Sequence, residues 1–176
     1  MKIFSRLLLL AFVGISFTSC TEVVFDGPQP PHRWDKRKFP KSWVGTWAQD
    51  GDTLIIEPQR ITVTEEEISV ILDDNNHLRS ISGYFVLSAR TEEEGKFVVW
   101  LAQRNGDVLT VYQMDPKDEN QLQIWGDVLG ADISTTKNAK GKVSSYLLAP
   151  ENNAAFRELI KRGGFGTGSS LLRVNP

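Results

Sequence analysis

Asn105-Gly106 stands between two runs of strand-forming residues, 96–104 and 107–114, and this setting is the strongest short-range signal for a β-hairpin. A type I′ turn needs positive φ at two consecutive residues, which Asn and Gly tolerate and most side chains do not. The neighbouring sequence reads the same way. Ile81, Gly83, Phe85 and Leu87 alternate with Ser82, Tyr84, Val86 and Ser88, a period of two. Shorter strand runs lie at 53–57, 60–64 and 68–72, divided by Pro58-Gln59 and other turn residues, and end at Asp73-Asp74-Asn75-Asn76. Gln121-Leu122-Gln123-Ile124-Trp125 alternates too and is expected to run on as a strand towards Ile133. Residues 143–148 follow the turn Lys140-Gly141-Lys142. Eight or nine short strands with short links predict a mainly β domain, an antiparallel meander.

One helix is expected after these strands. Pro150 suits its first turn, Glu151 its positive end, and Lys161-Arg162 followed by Gly163 its C-terminal stop. Ala155, Phe156, Leu159 and Ile160 recur on one helical face, which should lie against the sheet. Residues 97–101 carry bulk on both faces, with Phe97, Val99 and Leu101 on one and Val98 and Trp100 on the other. Such a strand must be covered twice. The expected solution is a barrel of about eight strands, with the C-terminal helix packed outside Trp100.

The N-terminus carries a different signal. Lys2 and Arg6 precede an apolar stretch, residues 7–17, which is too short for the ~20 residues of a membrane-spanning helix. Phe17-Thr18-Ser19-Cys20 closes it, and small residues directly before the sole cysteine resemble the lipobox of bacterial lipoproteins. The resemblance implies a signal peptide over residues 1–19 and lipidation of Cys20 as the mature N-terminus. Thr21 is not the aspartate associated with inner-membrane retention. The resemblance therefore implies an outer-membrane anchor, facing either the periplasm or the outside.

Residues 20–42 are expected to form a tether, because Pro28, Pro30, Pro31 and Pro40 deny it regular hydrogen bonding. Extended at ~3 Å per residue, it would hold the domain, residues 43–176, up to about 65 Å from the membrane. Within it, Arg33-Trp34-Asp35-Lys36-Arg37-Lys38-Phe39 is basic with flanking aromatics. It reads either as a contact for anionic headgroups or a partner, or more simply as a solvated linker whose Phe39 and Trp43 tuck under the domain. The mature chain would hold 18 basic against 22 acidic residues, which gives no basic face for nucleic acid. With Cys20 acylated, no disulfide forms and packing must hold the domain together. Glu65-Glu66-Glu67 and Glu92-Glu93-Glu94 fall between strands, where charge suits exposed turns and protects sheet edges.

Val44-Gly45-Thr46-Trp47 opens the first strand of the domain. It resembles the Gly-x-Trp start of lipocalin and wider calycin barrels, and more narrowly the lipocalin-like domains of small Bacteroidetes lipoproteins. The resemblance implies that Gly45 permits close backbone approach at the barrel base and that Trp47 plugs the closed end. It also implies a late basic residue over that tryptophan, and Arg173 has the position for it.

Catalytic chemistry is not expected. His32 lies in the tether, and His77 has only Asp73 and Asp74 nearby, where transition metals usually take three or four protein ligands. No Gly-x-Ser-x-Gly elbow occurs, and Asp73-Asp74-Asn75-Asn76 lacks the spacing of a calcium loop. The glycine-rich run 163–170 follows a helix instead of opening one and has no lysine before Ser169-Ser170, unlike a phosphate loop. No enzyme activity, metal or cofactor is therefore expected. Two functions remain. In the first, a barrel open at one end holds a small, mostly apolar ligand against Phe85, Leu87, Phe97, Val99, Leu101, Tyr112 and Ile124, side chains that could equally fill a solid core. In the second, an accessory lipoprotein with no cavity docks onto an envelope protein complex through aromatics such as Trp34, Trp43 and Tyr84. A cavity on the order of several hundred Å³ separates the two.

Overall fold

The computed structural model describes residues 21–65, 68–93 and 95–174. Cys20, the expected lipidation site, and Glu66, Glu67 and Glu94 of the acidic clusters lie outside the described residues. The fold is mainly β, a twelve-stranded mixed sheet joined by two short α-helices and a 3₁₀ turn. One run of the sheet comprises β2 (Gly45–Gln49), β3 (Asp52–Ile56), β4 (Arg60–Val63) and β5 (Ile68–Ile71), each antiparallel to the next. A second run comprises β6 (Asn76–Ile81), β7 (Tyr84–Arg90), β8 (Phe97–Asn105) and β9 (Val108–Gln113), also antiparallel. The last strand, β12 (Ser169–Val174), lies between β9 and β2 and joins the two runs. The sheet is open. Its path runs from β10 (Ile133–Lys137) to β5, and β6 ends a branch that leaves β8 through β7; β5 and β6, neighbours in sequence, share no ladder, so the expected closure into an eight-stranded barrel is not formed by hydrogen bonds.

The N-terminal segment departs from its expected role as a tether. Residues Glu22–Phe25 form β1, which runs parallel to β11 (Val143–Leu148) with Val23 opposite Tyr146 and Phe25 opposite Leu148. Phe25 also pairs with Phe97, where β1 takes the edge of β8 that β9 has left. β11 in turn forms a hairpin with β10 (Ile133–Lys137). Val24 and Phe25 are buried, as is Phe39 farther along. Hydrophobic burial overrides the prolines because Val23, Val24 and Phe25 alone make a short β-branched and aromatic run, which the composition of the whole segment concealed.

Two further expectations change. Residues 121–125 are helical, within α1 (Glu119–Leu129). The Asp118 carboxylate accepts from the Asn120 and Gln121 N–H groups, and Gly130, at φ +54°, ends the helix. Gln121, Ile124, Trp125 and Leu129 are buried together, a 3.6-residue period that a five-residue window reads as alternation. The expected helix is present as α2 (Asn153–Lys161), burying Phe156 and Leu159, but it starts later than expected: Asn152 caps it, so Pro150 and Glu151 precede it. The central hairpin shifts by one residue. Asn105 pairs with Val108, so Gly106-Asp107 makes the turn, and positive φ at Gly106 alone is the pattern of a type II′ turn. Cross-strand pairs such as Leu101 with Tyr112 set this register, since a one-residue slip would turn every side chain to the wrong face.

The sheet divides two apolar cores. One contains Val99, Leu101, Phe25 and Leu148 from strands, with Trp125, Phe156 and Leu159 from the helices. The other contains Trp43, Trp47, Leu54, Val63, Leu78 and Trp100. The helices therefore cover the Val99 and Leu101 face of β8, and Trp100 points into the opposite core, the reverse of the sequence expectation. With bulk on both faces, side-chain alternation defines two sides of β8 but cannot say which one a helix covers.

Candidate functional site

Gly45, Trp47 and Arg173, drawn from the two ends of the domain, meet at one point. The β12–β2 register sets Arg173 opposite Trp47, with its guanidinium 5.3 Å from the indole centroid. Arg104 contributes a second guanidinium at 5.7 Å. Arg173 also donates to the carbonyls of Ser42 (3.0 Å) and Val44 (2.8 Å). A Cβ at Gly45 would lie 3.1 Å from Arg173 Nη2, at a φ of +141° that side chains rarely adopt. Trp47 is fully buried and its Nε1–H donates to the Trp43 carbonyl at 2.8 Å. This cluster fastens the two ends of the domain together through Trp47 Nε1 and the two Nη groups of Arg173.

Beyond it, the segment before β2 and the strands enclose a small apolar space. The space among Phe39, Trp43, Leu54, Ile61, Leu78 and Trp100 is about 30 Å³. That volume holds one or two water molecules, far below the ~300 Å³ of a small-molecule pocket. Of the seven residues expected to line a ligand cavity, only Phe85 and Leu87 border this space. Val99 and Leu101 pack under the helices, and Ile124 belongs to α1. Phe97 lies edge-on to His77 with the Arg90 guanidinium over its ring. Tyr112 stacks edge-on to Tyr84 at 5.7 Å, and burial, followed by the Tyr84 charge, raises its pKa. The seven do not form one site.

Residues 28–43 fill the interior from one side as a strap. Phe39 and Trp43 insert into the core, and Trp43 meets Phe85 edge-on at 4.8 Å. Backbone bonds fix the strap to both runs of the sheet: Lys36 N–H donates to Leu78 O at 2.7 Å and Phe39 N–H to Pro58 O at 2.8 Å. Arg79 holds the middle. Its Nε donates to Asp35 at 2.7 Å, while Nη1 donates to the carbonyls of Pro28 and Pro30. His77 Nδ1 lies 3.0 Å from the other Asp35 oxygen. Partial burial would raise the Asp35 pKa, but the hydrogen bonds from Arg79 and His77 outweigh it and hold the carboxyl below its usual range.

A depressed folded pKa means that this contribution is complete above the unfolded aspartate value and disappears as pH falls through the folded one. Because the pair is partly solvated and screened, its worth is about 1 kcal/mol or less. The stability advantage of the wild type over Asp35→Asn, measured by urea denaturation, should therefore shrink towards zero below about pH 4.

Between these fixed points the strap exposes Trp34, whose side chain is 94% accessible. Arg33, Lys36, Arg37, Lys38 and Lys41 around it are exposed. Arg33 and residues 80–85 frame a shallow surface depression of about 360 Å³ beside it, and half-buried Tyr84 forms part of its wall. Trp43, offered both as a surface anchor and as a residue tucked under the domain with Phe39, is buried, as the second reading has it. The exposure of Trp34 has no sequence signal, since Trp43 in the same segment is buried. Among the described residues, no group of three or more His, Cys, Asp and Glu side chains is placed to hold a metal, and no helix is long and apolar enough to cross a membrane. No family model, curated protein or solved structure matches this chain.

Proposed function

We propose that this protein is a non-enzymatic docking lipoprotein of the outer membrane, held by acylated Cys20 and binding an envelope protein partner through the Trp34 loop. The observation that carries the reading is a tryptophan left 94% exposed on a loop fixed at both ends. A fixed loop has little conformational entropy left to lose, and an exposed indole on a segment with exposed Arg33, Lys36, Arg37 and Lys38 fits the make-up of an interface hot spot. The small volume of the apolar space behind Phe39 and Trp43 supports this role over that of a carrier for a small apolar ligand. The architecture is read as a lipocalin-like wrap of β2–β9 and β12 around a solid interior, with β5 and β6 as its open edges.

Trp34→Ala tests the reading. The exchange removes an exposed side chain and should leave the unfolding free energy within about 0.5 kcal/mol of wild type. Recovery of the partner polypeptide with the protein from its own membrane should fall at least about tenfold. Unchanged recovery, with wild-type stability, would remove the Trp34 loop from the interface.

A further inference from the structure

We infer that the tip of the β10–β11 hairpin rests on anionic lipid headgroups and holds the anchored domain against the membrane in one orientation. The inference rests on the reading of Cys20 as acylated. Its second basis is where the fold begins. Thr21 Oγ1 donates to the Val143 carbonyl at 3.1 Å, and Glu22 lies opposite Ser145 in the β1–β11 ladder. Val143 is the first residue of β11, so the chain enters the fold beside the hairpin tip, one residue after Cys20. Consecutive Cα atoms are ~3.8 Å apart, so an acyl group on Cys20 enters the bilayer next to this tip, with no long tether between.

The tip itself is Lys137-Asn138-Ala139-Lys140-Gly141-Lys142. Asn138 Oδ1 accepts from the backbone N–H groups of Lys140 and Lys142, at 3.0 and 3.1 Å. Asn138 N–H also donates to the Lys142 carbonyl at 2.9 Å. The turn is thus closed by its own hydrogen bonds and carries three exposed lysines. None of the three makes an ion pair among the described residues. Glu22 is the carboxylate on the adjoining strand, so the local balance is positive. The mature chain as a whole is acidic, with 18 basic against 22 acidic residues. A negative surface therefore attracts this end, and its closeness to Cys20 puts it at the lipid ahead of the other exposed basic cluster, on the Trp34 loop, which fixes orientation as well as adding affinity. The acyl group supplies the hold on the bilayer, and the lysines decide which face lies down.

The test uses the full-length protein purified from its own membrane and reconstituted into two kinds of vesicle. One kind is phosphatidylcholine alone, and the other contains about 30 mol % phosphatidylglycerol. Lysine acetylation rates are read by mass spectrometry. Lys137, Lys140 and Lys142 should react about fivefold more slowly on the anionic vesicles, with the protection lost in high salt. Equal rates on both vesicles, for protein that floats with them, would overturn the inference and leave the anchor intact. Protection of Lys36, Lys38 and Lys41 in their place would overturn it as well, because the Trp34 loop would then face the lipid. An N-terminal peptide without acyl mass, on protein that does not float, would overturn the anchor reading and this inference with it.

Discussion

Phe25→Ala is expected to lower the unfolding free energy by about 3–5 kcal/mol, the usual cost of truncating a large buried aromatic. Phe25 is 1% accessible and pairs with both Leu148 and Phe97. Its ring stacks on Phe165 at 6.5 Å and meets Phe156 edge-on at 6.2 Å. The alanine would leave a cavity where β1, β8, β11 and α2 converge, and neighbouring backbone cannot collapse far to fill it. A residue in a free tether would cost about nothing when truncated. Urea denaturation at neutral pH therefore distinguishes a β1 that is integral to the sheet from one that is only a leash.

Trp47→Ala should destabilise by a similar amount, about 3–5 kcal/mol, for a partly different reason. The indole is fully buried, and its ring lies beneath two guanidinium groups, those of Arg173 and Arg104. Removing it opens a cavity and deprives both cations of the ring face they cover, which adds roughly 0.5–2 kcal/mol where they are desolvated. Trp47→Phe separates the contributions. It keeps a ring under the arginines but loses the Nε1 hydrogen bond to Trp43, and should cost about 1–3 kcal/mol. If Trp47→Phe were as damaging as Trp47→Ala, ring volume and stacking would not be what Trp47 contributes.

The strand-rich character of the domain was legible because alternation and turn residues act locally. Residues 84–90 and 97–105 needed only their own sequence to become β7 and β8. The helix at Asn153–Lys161 was legible for the same reason, through its stop signals and apolar face. Tertiary preferences were not. The sequence of β8 is apolar on both faces, so only the three-dimensional packing decides that Val99 and Leu101 meet helices and Trp100 the other core. The parallel β1–β11 pair joins residues more than a hundred positions apart, which no local pattern reports. Gln121 to Trp125 alternates over five residues, and its helical period emerges only with Val128 and Leu129 included.

The candidate site divides along the same line. Gly45, Trp47 and Arg173 were found through a short motif and a position near the end of the chain, and they do meet. The seven residues proposed to line a cavity scattered, because alternation assigns faces correctly only when both the strand and its helix cover are known. Trp34 was a candidate anchor by residue type alone, with nothing to separate it from Trp43, and the lysines of the hairpin tip stand out only in the structure. Their significance lies in accessibility and in closeness to Thr21, and neither quantity has a sequence pattern.

Under the proposed function this domain docks a protein through its surface and carries no ligand in its interior. Native mass spectrometry of the full-length protein, extracted in mild detergent from the membranes of the cells that make it, decides this. The expected spectrum holds the acylated chain with a second polypeptide bound and no small molecule released on denaturation. A stoichiometric lipophilic adduct that denaturation releases would contradict it.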